Sequence, residues 1–224
     1  MADTKPPSPV SPAIIGALLG LTFVTGIIDA VSVLSLGHVF VANMTGNVVF
    51  LGFALAQQGE VHLTIVLTAL LAFVVGAVAG GKLGALSPPR FAPGFALELG
   101  VLMLASALAS MMPATTAANY VLVASLALAM GIRNALVRTL AVPDMTTTVL
   151  TLTITGLAAD STLAGGHNPR WGRRALAVLA MASGALTGAL LLKNAARLVV
   201  PLSAAIELLA VAVLLKGLAA RRSA

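Results

Sequence analysis

Long apolar runs constrain this chain more than any other feature. A helix needs roughly 20 apolar residues to cross the hydrocarbon core of a bilayer, which is about 30 Å thick. Charged residues make up only 9% of the chain and its mean hydropathy is +1.04, whereas about 25% of the residues of a soluble domain are charged. We therefore predict an all-α membrane protein with six transmembrane helices, at residues 14–36, 63–81, 93–112, 118–137, 174–192 and 198–216.

Two further apolar segments, at 45–57 and 145–159, are too short to cross comfortably. Each follows a polar, turn-forming stretch. Lipid tolerates interrupted backbone only where protein surrounds it. We therefore interpret both segments as re-entrant or broken helices.

The distribution of basic residues favours six crossings over eight. If the N-terminus is cytoplasmic and neither short segment crosses, eleven basic residues lie inside and only Lys193 and Arg197 lie outside. If both short segments cross, the division is seven against six. Because cytoplasmic loops carry the excess of Lys and Arg, we predict six crossings with both termini in the cytoplasm.

The chain also contains a weak internal repeat. Met145-Thr146 follows Met44-Thr45 by 101 positions, and residues 131–135 resemble residues 26–30 at an offset of 105. A glycine pair spaced by four recurs at an offset of 108. Three crossings in each half would set the halves in opposite orientations, which is the inverted-repeat plan of many transporters. Chance similarity between apolar sequences is the alternative.

This repeat defines the predicted organisation of the chain. A polar, proline-rich tail at 1–12 is expected to be disordered. The first membrane repeat is 13–115, the second is 116–218, and 219–224 is a cytoplasmic C-terminal tail.

Polar residues within apolar runs are the candidate binding residues. Asp29 lies deep in the first span, where an ionised carboxylate costs about 2.5–3.5 kcal/mol and is functional by default. A buried carboxyl that only hydrogen-bonds a neighbouring helix is the alternative. Arg133, beside Asn134, either pairs with Asp29, binds an anion or extends to the cytoplasmic surface. Glu98 and Glu207 are alternative proton or ion ligands, with a packing role equally open.

The starts of the two short helices complete the predicted site. Helix N-termini present free N–H groups and a positive dipole end, which Asn and Thr side chains can cap, and glycine admits close approach of a substrate to the backbone. Ordinary capping is the alternative. The predicted binding residues here are Asn43, Thr45, Gly46 and Asn47 at the first start and Asp144, Thr146 and Thr148 at the second.

Several function classes find no support in the residues. The chain has no cysteine, and His38, His62 and His167 form no metal-binding pattern. Motifs for serine hydrolases, nucleotide binding and metalloproteases are missing, and basic residues do not alternate with aromatic ones as in nucleic-acid binding. We therefore expect no enzyme activity, no cofactor, no metal and no nucleic-acid partner.

Residues 26–30, followed by residues 37–47 (GHVFVANMTGN), resemble the signature of the YoaK-like family of bacterial multi-pass membrane proteins. The resemblance implies a location in the bacterial inner membrane and marks Asp29 and residues 43–47 as a characteristic site. The function of that family is unknown, so the resemblance brings no substrate.

These features favour a small secondary transporter of a polar or ionic solute, with the solute between the starts of the two short helices. A channel and a non-transporting scaffold subunit are the alternatives. Because six crossings form only a small bundle, a homodimer is a further possibility that the sequence leaves open.

Overall fold

The computed structural model describes residues 10–85, 91–113 and 115–223, and the regular secondary structure of the described part is entirely helical. Most of the predicted disordered tail, residues 1–9, lies outside the described residues. Besides one turn of 3-10 helix at Thr162–Ala164, the helices are α1 (Pro12–Ser35), α2 (Met44–Leu55), α3 (Leu63–Ala85), α4 (Phe91–Met111), α5 (Thr116–Leu140), α6 (Thr151–Ala159) and α7 (Trp171–Ser223).

Five of these helices, α1, α3, α4, α5 and α7, are long and apolar enough to cross a membrane. Helix α7 has 53 residues, which is about 80 Å of helix and more than twice the thickness of a hydrocarbon core. Its backbone is non-helical at Ala195, with φ −156° and ψ 53°. The break separates residues 171–194 from residues 196–223, and each part contains one of the predicted spans.

Helix α1 packs closely along the first part of α7. A methyl group added at Gly26 would collide with the carbonyl oxygen of Met181, and one added at Gly184 would collide with the carbonyl oxygen of Phe23. Gly188 lies in the same way against Ile27. Residue numbers rise together along both helices, so the two helices are parallel and their backbones touch through glycine.

Helices α3 and α5 form a second parallel pair of the same kind. A methyl group at Gly76 would meet the carbonyl oxygen of Leu128, and one at Gly131 would meet that of Phe73. Gly80 lies against Ile132. Small residues at such spacing let helices approach closely inside a bilayer.

Helix α4 and the second part of α7 join these pairs into one bundle. Gly94 of α4 lies against Leu136 near the end of α5, and Gly20 of α1 lies against Ala210. At one end of the bundle, a cavity of about 380 Å³ is lined by the C-terminal ends of α1 and α4, the start of α5 and residues beside the break in α7. These four chain regions therefore share one end of the bundle.

The two remaining helices are short, as predicted for the segments between the spans. Helix α2 has 12 residues and α6 has nine, so they are about 18 and 14 Å long and neither spans about 30 Å of hydrocarbon. Helix α2 packs against α3, and α6 packs against α7.

The prediction for the second short helix was wrong at its start, because α6 begins at Thr151 rather than at 145. Side-chain hydrogen bonds replace helical ones before it: the Thr146 hydroxyl donates to the carbonyl of Val149 at 2.7 Å, and the Thr148 hydroxyl donates to Asn134. Thr147 has a positive φ of 63°. Threonine side chains that bond locally compete with helix formation, so this stretch is an irregular loop.

Candidate functional site

Asp29 hydrogen-bonds the backbone of the segment that precedes α2. Its Oδ1 accepts hydrogen bonds from the backbone N–H groups of Val41 at 3.2 Å and Ala42 at 3.0 Å. Among the described residues, none donates a hydrogen bond to its Oδ2. One carboxylate oxygen is therefore structural, and the other is free to bind a further group.

A cavity of about 560 Å³ lies beside this carboxylate, and we call it the Asp29 cavity. Its walls are α1, the segment before α2, the start of α6 and the first part of α7. Most of the lining is apolar, including Val33, Leu34 and Met181. The starts of both short helices therefore meet at one cavity, which Phe40 and Asn43 line from the first start and Thr148, Thr151 and Ile154 line from the second.

The start of α2 differs in detail from the predicted binding loop. The Asn43 side chain does not cap the helix. Asn47 is fully buried and clamps the backbone of Phe40, accepting from its N–H at 2.9 Å and donating to its carbonyl at 2.6 Å. The space beside Gly46 is occupied by the Phe40 ring, and Thr45 is exposed. Gly46 and Asn47 thus position Phe40, and the proposed approach of a substrate to Gly46 was wrong.

A second cavity, of about 700 Å³, lies between α3, α5 and the loop before α6. Asn134, Arg138, Thr146 and Thr148 are among its lining residues. The Thr148 hydroxyl donates to Asn134 Oδ1 at 2.6 Å, and Thr148 lines the Asp29 cavity as well. Thr148 and its hydrogen bond therefore stand between the two cavities.

Arg133 does not pair with Asp29 and does not reach the surface, so both of those interpretations were wrong. Its side chain is completely buried and forms ion pairs with Glu98 of α4 and Glu207 of α7, both also completely buried. It also donates to the Thr25 hydroxyl at 3.1 Å and to the Leu21 carbonyl at 3.3 Å. Four helices meet at this guanidinium, because burial demands that its charge and its N–H groups find partners.

Asp144 was also expected at the start of a helix, and that placement was wrong. Its carboxylate pairs with Arg170 at 2.5 Å and Arg174 at 3.1 Å, and Arg174 also reaches Asp160 at 2.7 Å. Burial raises the pKa of Asp144, but the hydrogen bonds and charges of Arg170 and Arg174 outweigh it, so the pKa lies below its ordinary value of 3.8. Asp144 therefore links the loop before α6 to the start of α7 through ion pairs.

Five of the ten predicted binding residues line the two cavities. Asp29, Asn43 and Thr148 line one, whereas Asn134, Thr146 and again Thr148 line the other. Sequence reasoning missed Phe40 and Arg138, and it left out the Glu98–Arg133–Glu207 cluster as a unit. The available signal for that cluster was that Glu98, Arg133 and Glu207 each lie inside a different apolar run, where a charged side chain needs a partner of opposite charge.

Comparison with known proteins places the chain in a family. The family described as "Protein of unknown function (DUF1275)" matches residues 17–214. The UPF0700 transmembrane protein YoaK of Bacillus subtilis (strain 168) is 34% identical over 152 residues, which are 64% of this chain and 65% of that protein. The match thus spans slightly less than two thirds of the relative, and no solved structure matches. This chain belongs to the DUF1275 family of multi-pass, YoaK-like membrane proteins, whose function is unknown.

Proposed function

We propose that this protein is a small secondary carrier in the bacterial inner membrane, with six crossings, two re-entrant helices and a solute site in the Asp29 cavity. It acts on a small solute without chemical conversion. The observation that carries the proposal is the meeting of the starts of α2 and α6 beside Asp29 in one cavity. Interrupted helices whose ends meet at a polar site within the membrane are the usual architecture of such carriers.

The proposed topology agrees with the arrangement of the helix ends. The C-terminal ends of α1 and α4, the start of α5 and the break in α7 lie together, as alternating crossings require. The hydroxyls of Thr64 and Tyr120, at the starts of α3 and α5, are 2.5 Å apart, so these parallel helices also begin at the same end. Lys193 and Arg197 flank the break, and with six crossings the other eleven basic residues lie toward the opposite face, which the positive-inside rule favours as the cytoplasmic side.

Equivalent contacts support the inverted repeat. Gly26 lies against the carbonyl of Met181, and Gly131, 105 positions later, lies against that of Phe73, which precedes Met181 by 108. Each parallel pair thus combines one helix from each half through the same glycine positions.

The two cavities follow the same relation. Asp29, Ala30, Val33 and Leu34 line one, and the residues 105 positions later, Asn134, Ala135, Arg138 and Thr139, line the other. On the α7 and α3 sides, Met181, Ala185 and Ala189 correspond to Phe73, Ala77 and Gly81. In an inverted repeat, such cavities open toward opposite faces of the membrane. They are the two access routes of an alternating carrier, separated by Thr148 and Asn134.

The chemistry of the cavity indicates which solutes to test. Asp29 is the single charged residue among those lining the Asp29 cavity, and its Oδ2 lacks a donor among the described residues. The remaining lining is mostly apolar. A solute with a cationic or hydrogen-bond-donating head and a short apolar body fits both features, since an ionised carboxylate that faces a mostly apolar cavity is stabilised by such a partner.

A binding screen tests the proposal. Purified protein in detergent is melted in the presence of ethylammonium, butylammonium, guanidinium, glycine, acetate and phosphate. We expect a primary ammonium compound to raise the melting temperature of the wild type and of Glu60→Gln, whose carboxylate lies on an exposed loop, but not of Asp29→Asn. Carrier activity then appears as saturable uptake of that compound into proteoliposomes. Equal stabilisation of the Asp29→Asn variant would remove Asp29 from the site.

A further inference from the structure

A second ionisable centre lies outside the Asp29 cavity, in the Glu98–Arg133–Glu207 cluster. All three side chains have zero exposure. Two carboxylates and one guanidinium would leave a net charge of −1 sealed among α1, α4, α5 and α7. An uncompensated charge in such a place is costly, and the other charged group that Arg133 influences from a packed helix, Asp29 of α1, is also acidic. Among the described residues, Arg133 is the one basic side chain that forms an ion pair with either glutamate.

Within the described part of the chain, the carboxyl oxygens of Glu98 and Glu207 have fewer hydrogen-bond donors than they could accept from. Glu98 accepts from Arg133 Nε through Oε1, and Glu207 pairs with Arg133 Nη2. Glu98 Oε2 and Glu207 Oε1 are buried and receive no hydrogen bond within the described part of the chain. Both carboxyl groups pair with the same guanidinium, Glu98 with Nε and Glu207 with Nη2, so the two groups lie close together. Two ionised carboxylates are acceptors only, so a proton on one of them would supply a donor and remove their mutual repulsion.

We propose that Glu98 and Glu207 bind one proton between them, so that the cluster is a proton-binding site of net charge zero. Arg133 holds the ionised carboxylate, while the other carboxyl carries the proton and can donate it to its ionised neighbour. Two carboxyl groups that share a confined space behave in this way, because like charges in contact cannot both ionise.

The position of the cluster connects it to the cavities. Arg133 is followed by Asn134, whose Oδ1 holds Thr148 between the two cavities, and Arg133 also bonds Thr25 one turn before Asp29. Loss of the proton would restore the charge imbalance at the junction of α1 and α5, the pair of corresponding helices. In a carrier, this proton is the coupling ion. That consequence depends on the proposed function, whereas the proton site itself does not.

Infrared spectroscopy of the purified protein tests the proton site directly. The chain has three glutamates, and the third, Glu60, is exposed and can be replaced by Gln. Glu60→Gln protein labelled with ¹³C-carboxyl glutamate then reports on Glu98 and Glu207 alone. We expect the C=O stretching band of a protonated carboxylic acid at neutral pH, and we expect the label to shift it. The absence of a label-sensitive band would overturn the proposal. This test needs no substitution in the cluster itself.

Variants assign the band to the pair. Glu98→Gln and Glu207→Gln each imitate the protonated form of one partner, leaving the other ionised against Arg133, so each should fold and lose the band. Asp29→Asn should keep the band. The double variant leaves Arg133 unpaired and should fail to purify as a folded protein. A label-sensitive band that survives in both single variants contradicts the shared proton, and loss of ammonium binding in Asp29→Asn has no bearing on this result.

Discussion

At the residue scale, single polar side chains determine how the irregular segments of this protein are held. Asn47 and Asp29 between them bind the backbone of Phe40, Val41 and Ala42, which is the segment entering α2. In a bilayer, a backbone that leaves the helix must find such partners within the protein. Polar side chains that the sequence marks as candidate solute ligands therefore hydrogen-bond the backbone and hold it in place.

Replacement of Asn47 by Ala should destabilise the protein strongly. The change leaves the N–H and carbonyl of Phe40 without their partners, and each unsatisfied buried group costs about 1–3 kcal/mol. A lower melting temperature and faster proteolysis between α1 and α2 are the measurements. Asn194→Ala, at an exposed position, is the matched control and should melt like the wild type; equal loss in both variants would refute the clamp.

The ion pairs of Asp144 should make stability depend on pH in acid. Because its pKa is depressed in the folded protein, its contribution is complete above the ordinary value of 3.8 and is lost as pH falls through the lower, folded value. Asp144→Asn should therefore melt below the wild type at neutral pH, and the difference should shrink below about pH 4. Melting curves across this range measure it. Glu60→Gln should show no such change, and a constant difference for Asp144→Asn would exclude the linkage.

At the scale of helices, contact between backbones through glycine organises the bundle. The α1–α7 and α3–α5 pairs use glycines at corresponding positions, and side chains there would separate the helices. Lipid tails are as apolar as the helix side chains, so burial of apolar surface gives a helix little preference for another helix over lipid. Close packing therefore decides which helices associate.

Gly26→Ala and Gly131→Ala should therefore lower stability by similar amounts, about 1–3 kcal/mol each, as is typical of overpacking. Gly100→Ala is the control, because a methyl group there meets no atom within 4 Å, and it should be neutral or stabilising by up to about 1 kcal/mol. Thermal melting of the three variants compares them. A large loss at Gly26 with none at Gly131 would contradict the equivalence of the two pairs.

Most of the helices could be predicted from the sequence, but some of their ends and contacts could not. The long helices follow from the lengths of the apolar runs, and the shortness of α2 and α6 follows in the same way. The start of α6 could not be predicted, because it depends on whether Thr146 and Thr148 bond a helix or the loop and Asn134. The partners of Arg133 lie 35 and 74 positions away, at Glu98 and Glu207, and only the packing of α4, α5 and α7 brings them together.

At the scale of the whole molecule, the proposed carrier mechanism depends on how often the chain crosses the membrane. If α2 and α6 enter and return, their starts meet within the bilayer beside Asp29, and the related cavities open on opposite faces. If either crosses, the residues after it change sides, and the Asp29 cavity loses its place in a carrier.

Cysteine labelling tests the topology, because the chain has no native cysteine. Single cysteines are placed at exposed positions: at His38, before α2, at Gln58, after α2, at Leu163, after α6, and at Asn194, beside the break in α7. In intact spheroplasts, we predict that a membrane-impermeant maleimide labels His38→Cys, Gln58→Cys and Asn194→Cys, and labels Leu163→Cys only after permeabilisation. Protection of Gln58→Cys while His38→Cys reacts would show that α2 crosses, and labelling of both Gln58→Cys and Leu163→Cys from outside would show that α6 crosses; either result contradicts the carrier mechanism.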